Sequence, residues 1–187
     1  MGEIIVTMQM SLDGIVSDPD RWMTLSDEIL EDHLACYRKV DAVVFGGSTY
    51  EGLAQYWPEA EISSESPVER ALAKQLNDLP KYVFTRSEMD LAWRNSKAVT
   101  VTDDESFIRE LSGLKRGTGR ISVEGGLKTW HRCIRHGLFD TLWLLVHPVI
   151  AAEGDRLFAS AREQQALKLV DCKTYRNGVV GLRYQRE

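Results

Sequence analysis

Val-Glu-Gly-Gly-Leu-Lys-Thr-Trp, residues 123–130, follows directly on the alternating run Arg120-Ile121-Ser122. A short strand there gives way to a helix through two adjacent glycines, Gly125 and Gly126. Glycine at such a junction costs backbone entropy, so the position requires positive φ or an unobstructed backbone. Two readings meet that requirement: a tight turn, or an anion site made by the helix-start N–H groups that glycines leave exposed.

The pattern has an echo. Val43-Val44-Phe45-Gly46-Gly47-Ser48-Thr49-Tyr50 is again an apolar strand, a glycine pair, and a helix start carrying a hydroxyl and an aromatic. A third strand end reads Phe84-Thr85-Arg86-Ser87, with two hydroxyls flanking an arginine. Guanidinium binds a phosphate dianion bidentately, whereas an NAD-type site more often shows a carboxylate for the ribose hydroxyls. Two tight β–α turns remain the alternative for the glycine pairs. Together the three junctions fit an extended dinucleotide with an extra phosphate, NADPH, lying across the carboxyl ends of parallel strands. No GxGxxG follows the first strand, so this is not a Rossmann fingerprint.

Around the junctions, short β-like runs alternate with helix-like segments. Residues 3–10 read as a strand and 26–39 as a helix, with Ile29, Leu30, His33, Leu34 and Tyr37 at the 3.6-residue period. Ser66-Pro67-Val68-Glu69 is a capping box with proline at the first helical position, predicting a helix to about Asn77. Residues 82–84 and 99–101 are further strands, and Asp103 or Asp104 caps a helix through Leu114. Leu127, Trp130, Ile134 and Leu138 mark a helix stopped by Gly137. Strands at 141–147 and 179–185 follow, with Asn177-Gly178 as a turn signal. The expected architecture is α/β: one domain over residues 1–187, with a mostly parallel sheet flanked by helices and a C-terminal antiparallel strand pair. Residues 56–66 read as linker-like, and 115–120 as a solvated turn.

The 187 residues carry a net charge of −5, which argues against nucleic acid as a partner. The three cysteines form no CxxC and read as reduced thiols, and the four histidines have no metal-ligand spacing. No apolar run approaches the ~20 residues needed to span a bilayer, and the expectation is a cytoplasmic protein. Near the N-terminus, Met10-Ser11-Leu12-Asp13-Gly14-Ile15-Val16 leads into Asp18, Trp22, Asp27 and Glu28. Asp13-Gly14 is either a turn or a carboxylate set to hydrogen-bond a ring amide or raise the basicity of a substrate nitrogen. Asp27 and Glu28 are further candidates for that catalytic role, although acids in a helix's first turn are favoured by its dipole alone. No nucleophile elbow, P-loop or Ser–His–Asp grouping is present.

SLDGIVS, VVFGGSTYEG, YVFTRS, VEGGLKTW and HPVIAAEGDRLF, in that order, resemble the dihydrofolate reductase-like superfamily. The likeness is stronger to the branch holding the reductase domain of the bifunctional riboflavin-biosynthesis deaminase-reductase. It implies a dihydrofolate reductase-like fold, an NADPH-dependent reductase and a homodimer. Gly46 and Thr49 match the first nucleotide loop, and Thr85, Arg86 and Ser87 the segment holding the adenosine 2′-phosphate. Gly125, Gly126 and Leu127 match the turn over the pyrophosphate, with Lys128 and Thr129 close behind. Gly47 stands where the family usually carries arginine, so Arg86 would bear more of the phosphate. The SLDG motif implies that Asp13 faces the substrate, with Ser11 and Trp22 beside it. The expected activity is hydride transfer to a C=N or C=O of a pterin- or pyrimidine-like heterocycle; the alternative is a non-catalytic nucleotide-binding protein on the same fold.

Overall fold

Strand β1 (Glu3–Ser11) runs through the middle of an eight-stranded sheet in the computed structural model, which describes residues 2–187. The other strands are β2 (Ala42–Gly46), β3 (Lys81–Thr85), β4 (Ser96–Thr100), β5 (Arg120–Gly125), β6 (Thr141–His147), β7 (Leu167–Thr174) and β8 (Val180–Arg186). Their order is β4-β3-β2-β5-β1-β6-β8-β7. The first six in space are parallel, while β8 pairs antiparallel with both β6 and β7.

Five helices cover the two faces: α1 (Asp27–Tyr37), α2 (Gly47–Ser63), α3 (Pro67–Asp78), α4 (Asp104–Thr118) and α5 (Leu127–Arg135). Because successive side chains in a strand point to opposite faces, each central strand feeds two cores. Ile5, Val43 and Phe45 pack with α1, α2 and α3, whereas Ile4, Val6 and Val44 pack with α4 and α5. Helices on both faces explain why β2 is buried along its whole length and reads as a continuous apolar run. Among the described residues no helix is long and apolar enough to cross a membrane.

Four local features depart from the sequence reading. The stretch expected to be linker-like lies within α2, which continues through Pro58 to Ser63. There α3 supplies what local propensity does not: buried Asn77 donates to the Trp57 carbonyl at 3.2 Å and to Glu61 at 2.5 Å. The glycine-rich basic turn is instead the last part of α4, which runs to Thr118 before Gly119 leaves the helix at φ +97°. Strand β7 is absent from the sequence reading because both its faces are largely exposed, so it lacks the apolar alternation that marks a strand. At Ser66 only half of a capping box forms: its hydroxyl accepts from the Glu69 amide, while the Glu69 carboxylate takes the Tyr56 and Ser64 hydroxyls.

Candidate active site

Strands β2 and β5 are neighbours, so the two glycine pairs lie side by side at the carboxyl edge of the sheet. A Cβ on Gly46 would stand 2.7 Å from Thr129 Oγ1 and 3.2 Å from the Gly126 nitrogen. One on Gly126 would meet Thr49 Oγ1 at 2.2 Å. Gly125 has φ +155°, and the Gly125–Gly126 peptide is cis. Helices α2 and α5 start from Gly46 and Gly126 with no side-chain cap. By contrast α1, α3 and α4 are capped by Ser26, Ser66 and Asp103. Two adjacent helix starts therefore keep their first-turn N–H groups available, with the positive end of each helix dipole behind them.

On one side of this junction lies a polar cavity of about 530 Å³. Gly46, Gly47, Thr85, Arg86, Gly126 and Lys128, all named from the sequence, line it together. Sequence reasoning missed Asp104, His131, Arg132 and Arg135, which complete the wall. Asp104 accepts from His136 Nε2 at 2.9 Å and lies 3.0 Å from Arg132 Nε and 3.5 Å from Arg135 Nη1. The His136 hydrogen bond, followed by the two arginines, holds its carboxyl below the usual range. One carboxylate thus faces four Lys/Arg side chains, and Arg135 Nε is buried without a partner. A buried donor left unpaired is costly, so this wall suits an anionic acceptor. The signal was present in the spacing: Lys128, Arg132 and Arg135 recur at helical intervals after the glycine pair.

On the other side lies an apolar cavity of about 270 Å³ walled by Trp22, Phe45, Trp57 and Trp130. The two cavities adjoin: Phe45 lines one and Gly46 the next, and Thr129 and Trp130 divide in the same way. The apolar cavity has one acid, Glu124, the last residue before the glycine pair. It accepts from the Ser122 hydroxyl and from Tyr37. The residue is half-buried and lines the cavity, and burial outweighs both hydrogen bonds, so its pKa rises to about 7. Tyr37, pushed well up by its own burial and by Glu124, stays a donor.

A neutral relay lies beside this acid. His147 Nδ1 accepts from the Thr24 amide at 3.2 Å, leaving Nε2–H to donate to Gln9 Oε1 at 2.6 Å. Gln9 Nε2 then reaches His33 Nε2 at 3.4 Å. Burial lowers both imidazoles, His33 to about 4, so neither carries charge at neutral pH. Glu124 lies within the Val123–Trp130 stretch, where sequence reasoning missed it. The available signal was an acid directly before the glycine pair, at the end of a largely buried strand.

The expected catalytic acids lie elsewhere. Asp13 accepts from Ser11 Oγ at 2.6 Å and from the amides of Ala151 and Ala152 at 3.0 Å each. The Ser11 hydroxyl and then these amides hold its pKa down to about 2, and it lines neither cavity. Ser11 is buried and also accepts from the Ile15 amide at 2.9 Å, so the SLDG motif ties two loops together. Asp27 accepts from Ser66 Oγ, and Glu28 from the Arg176 amide; neither lines a cavity. These carboxylates follow turn and helix-start chemistry, and the acid that lines the apolar cavity is Glu124. Ser87 is exposed and bonds back to Thr85, and Leu127 packs against the α4–α5 core. Trp22 does line the apolar cavity, its indole N–H held by the Ser17 carbonyl, and Thr49 lines it beside the glycines.

The family described as the RibD C-terminal domain matches residues 3–181. The uncharacterized protein YyaP of Bacillus subtilis (strain 168) is 27% identical over 186 residues, covering 97% of this chain and 93% of that protein. A Shewanella sp. PV-4 protein named for riboflavin biosynthesis superposes with TM-score 0.73 at 16% identity, covering 99% of each chain. A pyrimidine reductase-like protein of Corynebacterium diphtheriae gives 0.60 at 16% identity, covering all of this chain and 92% of that one. The diaminohydroxyphosphoribosylaminopyrimidine deaminase/5-amino-6-(5-phosphoribosylamino)uracil reductase of Thermotoga maritima gives 0.63 at 17%, with this chain spanning 57% of its length. At these identities the superpositions establish a shared fold.

Proposed function

The chain belongs to the RibD C-terminal domain family, and from that premise we propose that it is an NADPH-dependent reductase of a small heterocycle. The observation that carries the reading is the glycine junction, where a basic cavity with an orphaned arginine nitrogen adjoins an apolar cavity holding one raised-pKa acid. The residues present fit the cofactor. The uncapped starts of α2 and α5 offer amides to a pyrophosphate. Arg86, Lys128, Arg132 and Arg135 offer charge to a third phosphate. Gly47, where the family usually has arginine, removes one cation, and the arginines of α5 stand in the same cavity to replace it.

When bound, NADPH supplies the hydride. The protein's part is to position, to exclude water and to move a proton. Glu124, protonated in part at neutral pH, donates to the nitrogen or oxygen of the substrate's C=N or C=O as the carbon is reduced. Its carboxylate is then steadied by the Ser122 and Tyr37 hydroxyls and regains a proton from solvent. Trp22, Trp57 and Trp130 wall the cavity and keep it dry.

The test is a titration of tryptophan fluorescence with NADPH, with NADH in parallel. The expected result is saturable quenching with NADPH about tenfold or more the tighter, the preference one charge-assisted phosphate contact supplies. Arg86→Ala and Arg132→Ala should each erode that preference. Absence of saturable binding would sink the reductase reading.

A further inference from the structure

The two cavities differ in sign as well as polarity. Arg86, Lys128, Arg132 and Arg135 line the basic cavity, and among the described residues no Lys or Arg lines the apolar one. The ionisable groups of the apolar cavity are Glu124, the neutral His33 and the protonated Tyr37. A phosphate group placed there would find no countercharge, in a setting of low dielectric where an unpaired charge is costly. Size points the same way. At about 270 Å³ the cavity is at the low end of small-molecule pockets, which run from about 300 Å³. A reacting nicotinamide would claim part of that space.

Its polar groups are gathered at one end. Thr7, Gln9, His33 and Glu124 supply donors and acceptors there, and the indoles and Phe45 make the rest. Such a lining recognises one hydrogen-bonding edge of a flat ring and covers its faces with aromatic surface. Resting on the reductase reading, we infer that the apolar cavity takes a compact, phosphate-free heterocycle through one ring edge and discriminates against sugar-phosphate forms of the same ring. Its substrate therefore differs from the phosphoribosyl compound in the name of the Thermotoga maritima relative. The reaction that supplies the substrate leaves the ring without a phosphorylated side chain.

The test is a binding series on the NADP⁺-saturated protein, read by tryptophan fluorescence and by calorimetry. The probes are 5,6-diaminouracil, its N-ribosyl and N-phosphoribosyl forms, and pterin as a second bare ring. Expected is saturable binding of at least one bare ring and at least about a tenfold loss when the phosphate is added, as an unpaired buried charge demands. Leu25→Lys, which puts a cation at the partly exposed rim, should recover most of that loss for the phosphorylated probe alone. Tighter binding of the phosphorylated form overturns the inference, as does failure of every bare ring. Loss of phosphate-probe binding in Arg21→Ala, from the exposed turn beside Trp22, would also overturn it by revealing a rim cation that serves the phosphate. The nucleotide titration is scored separately: NADPH binding with no bare-ring binding defeats only this inference, and the converse defeats only the reductase reading.

Discussion

The basic and apolar cavities share a glycine junction yet are built in opposite ways. The basic cavity draws on strand ends and the helix turns that follow them, so its residues come in short sequence runs. The apolar cavity gathers side chains from β1, α1, α2, α3, β5, α5 and the loop before α1, and its polar groups are single residues in apolar surroundings. The first holds charge by supplying many partners. The second holds one acid, whose pKa burial raises to about 7.

The largest expected effect is on turnover. Glu124→Gln should lower kcat by about 10²–10⁴, the usual worth of a positioned general acid, while NADPH affinity stays within about twofold. Since the protonated form acts, kcat in the parent should fall as pH rises through about 7, and the variant should lose that dependence. Stability moves the other way. A carboxyl whose pKa is raised on folding opposes the fold once pH exceeds its unfolded value near 4.5, with the full cost present above about 7. Thermal unfolding at pH 8 should thus find Glu124→Gln more stable by roughly 1–3 kcal/mol. A variant that is less stable and fully active would break the contrast between the cavities.

Next in size is the junction itself. Gly126→Ala puts a methyl 2.2 Å from Thr49 Oγ1, so Thr49 or the helix start must shift. It should cost about 2–4 kcal/mol by thermal melt and weaken both nucleotide and heterocycle binding, because both cavities depend on that wall. Gly47→Arg sharpens the comparison from the other side. A Cβ there meets nothing closer than 3.5 Å and its φ is not left-handed, so the change is accommodated. It should raise NADPH affinity about 3- to 20-fold and leave NADH nearly unchanged, as one added charge-assisted contact would.

The smallest effect belongs to Asp13. Asp13→Asn should leave kcat within about twofold and lower the melting temperature at neutral pH. Its folded pKa is depressed to about 2, so the lost stability is present above the unfolded value near 3.8 and disappears as pH falls through about 2. A large drop in kcat instead would return this acid to the chemistry.

What was legible in the sequence follows from how far apart the cooperating residues lie. Glycine pairs after apolar runs, Thr85-Arg86, the capping residues and the strand–helix alternation all report on neighbours within a few positions, and the structure carries each of them. Strand β7 and the course of α2 through Pro58 were not legible, because pairing with β8 and packing on α3 hold them rather than their own periodicity. The same limit governs the acids. Asp13, Asp27 and Glu28 stand out in sequence for being clustered and polar, yet each takes hydrogen bonds away from the two cavities, several of them from distant parts of the chain.

By itself, the sequence determined an α/β chain with a mostly parallel sheet, two glycine-opened helix starts and a family likeness that runs the length of the molecule. Only the tertiary structure decided which acid lines the apolar cavity and which cations line the polar one. The reason is physical: backbone conformation is set by near neighbours, whereas desolvation and charge pairing depend on what folding brings within a few ångströms from distant parts of the chain.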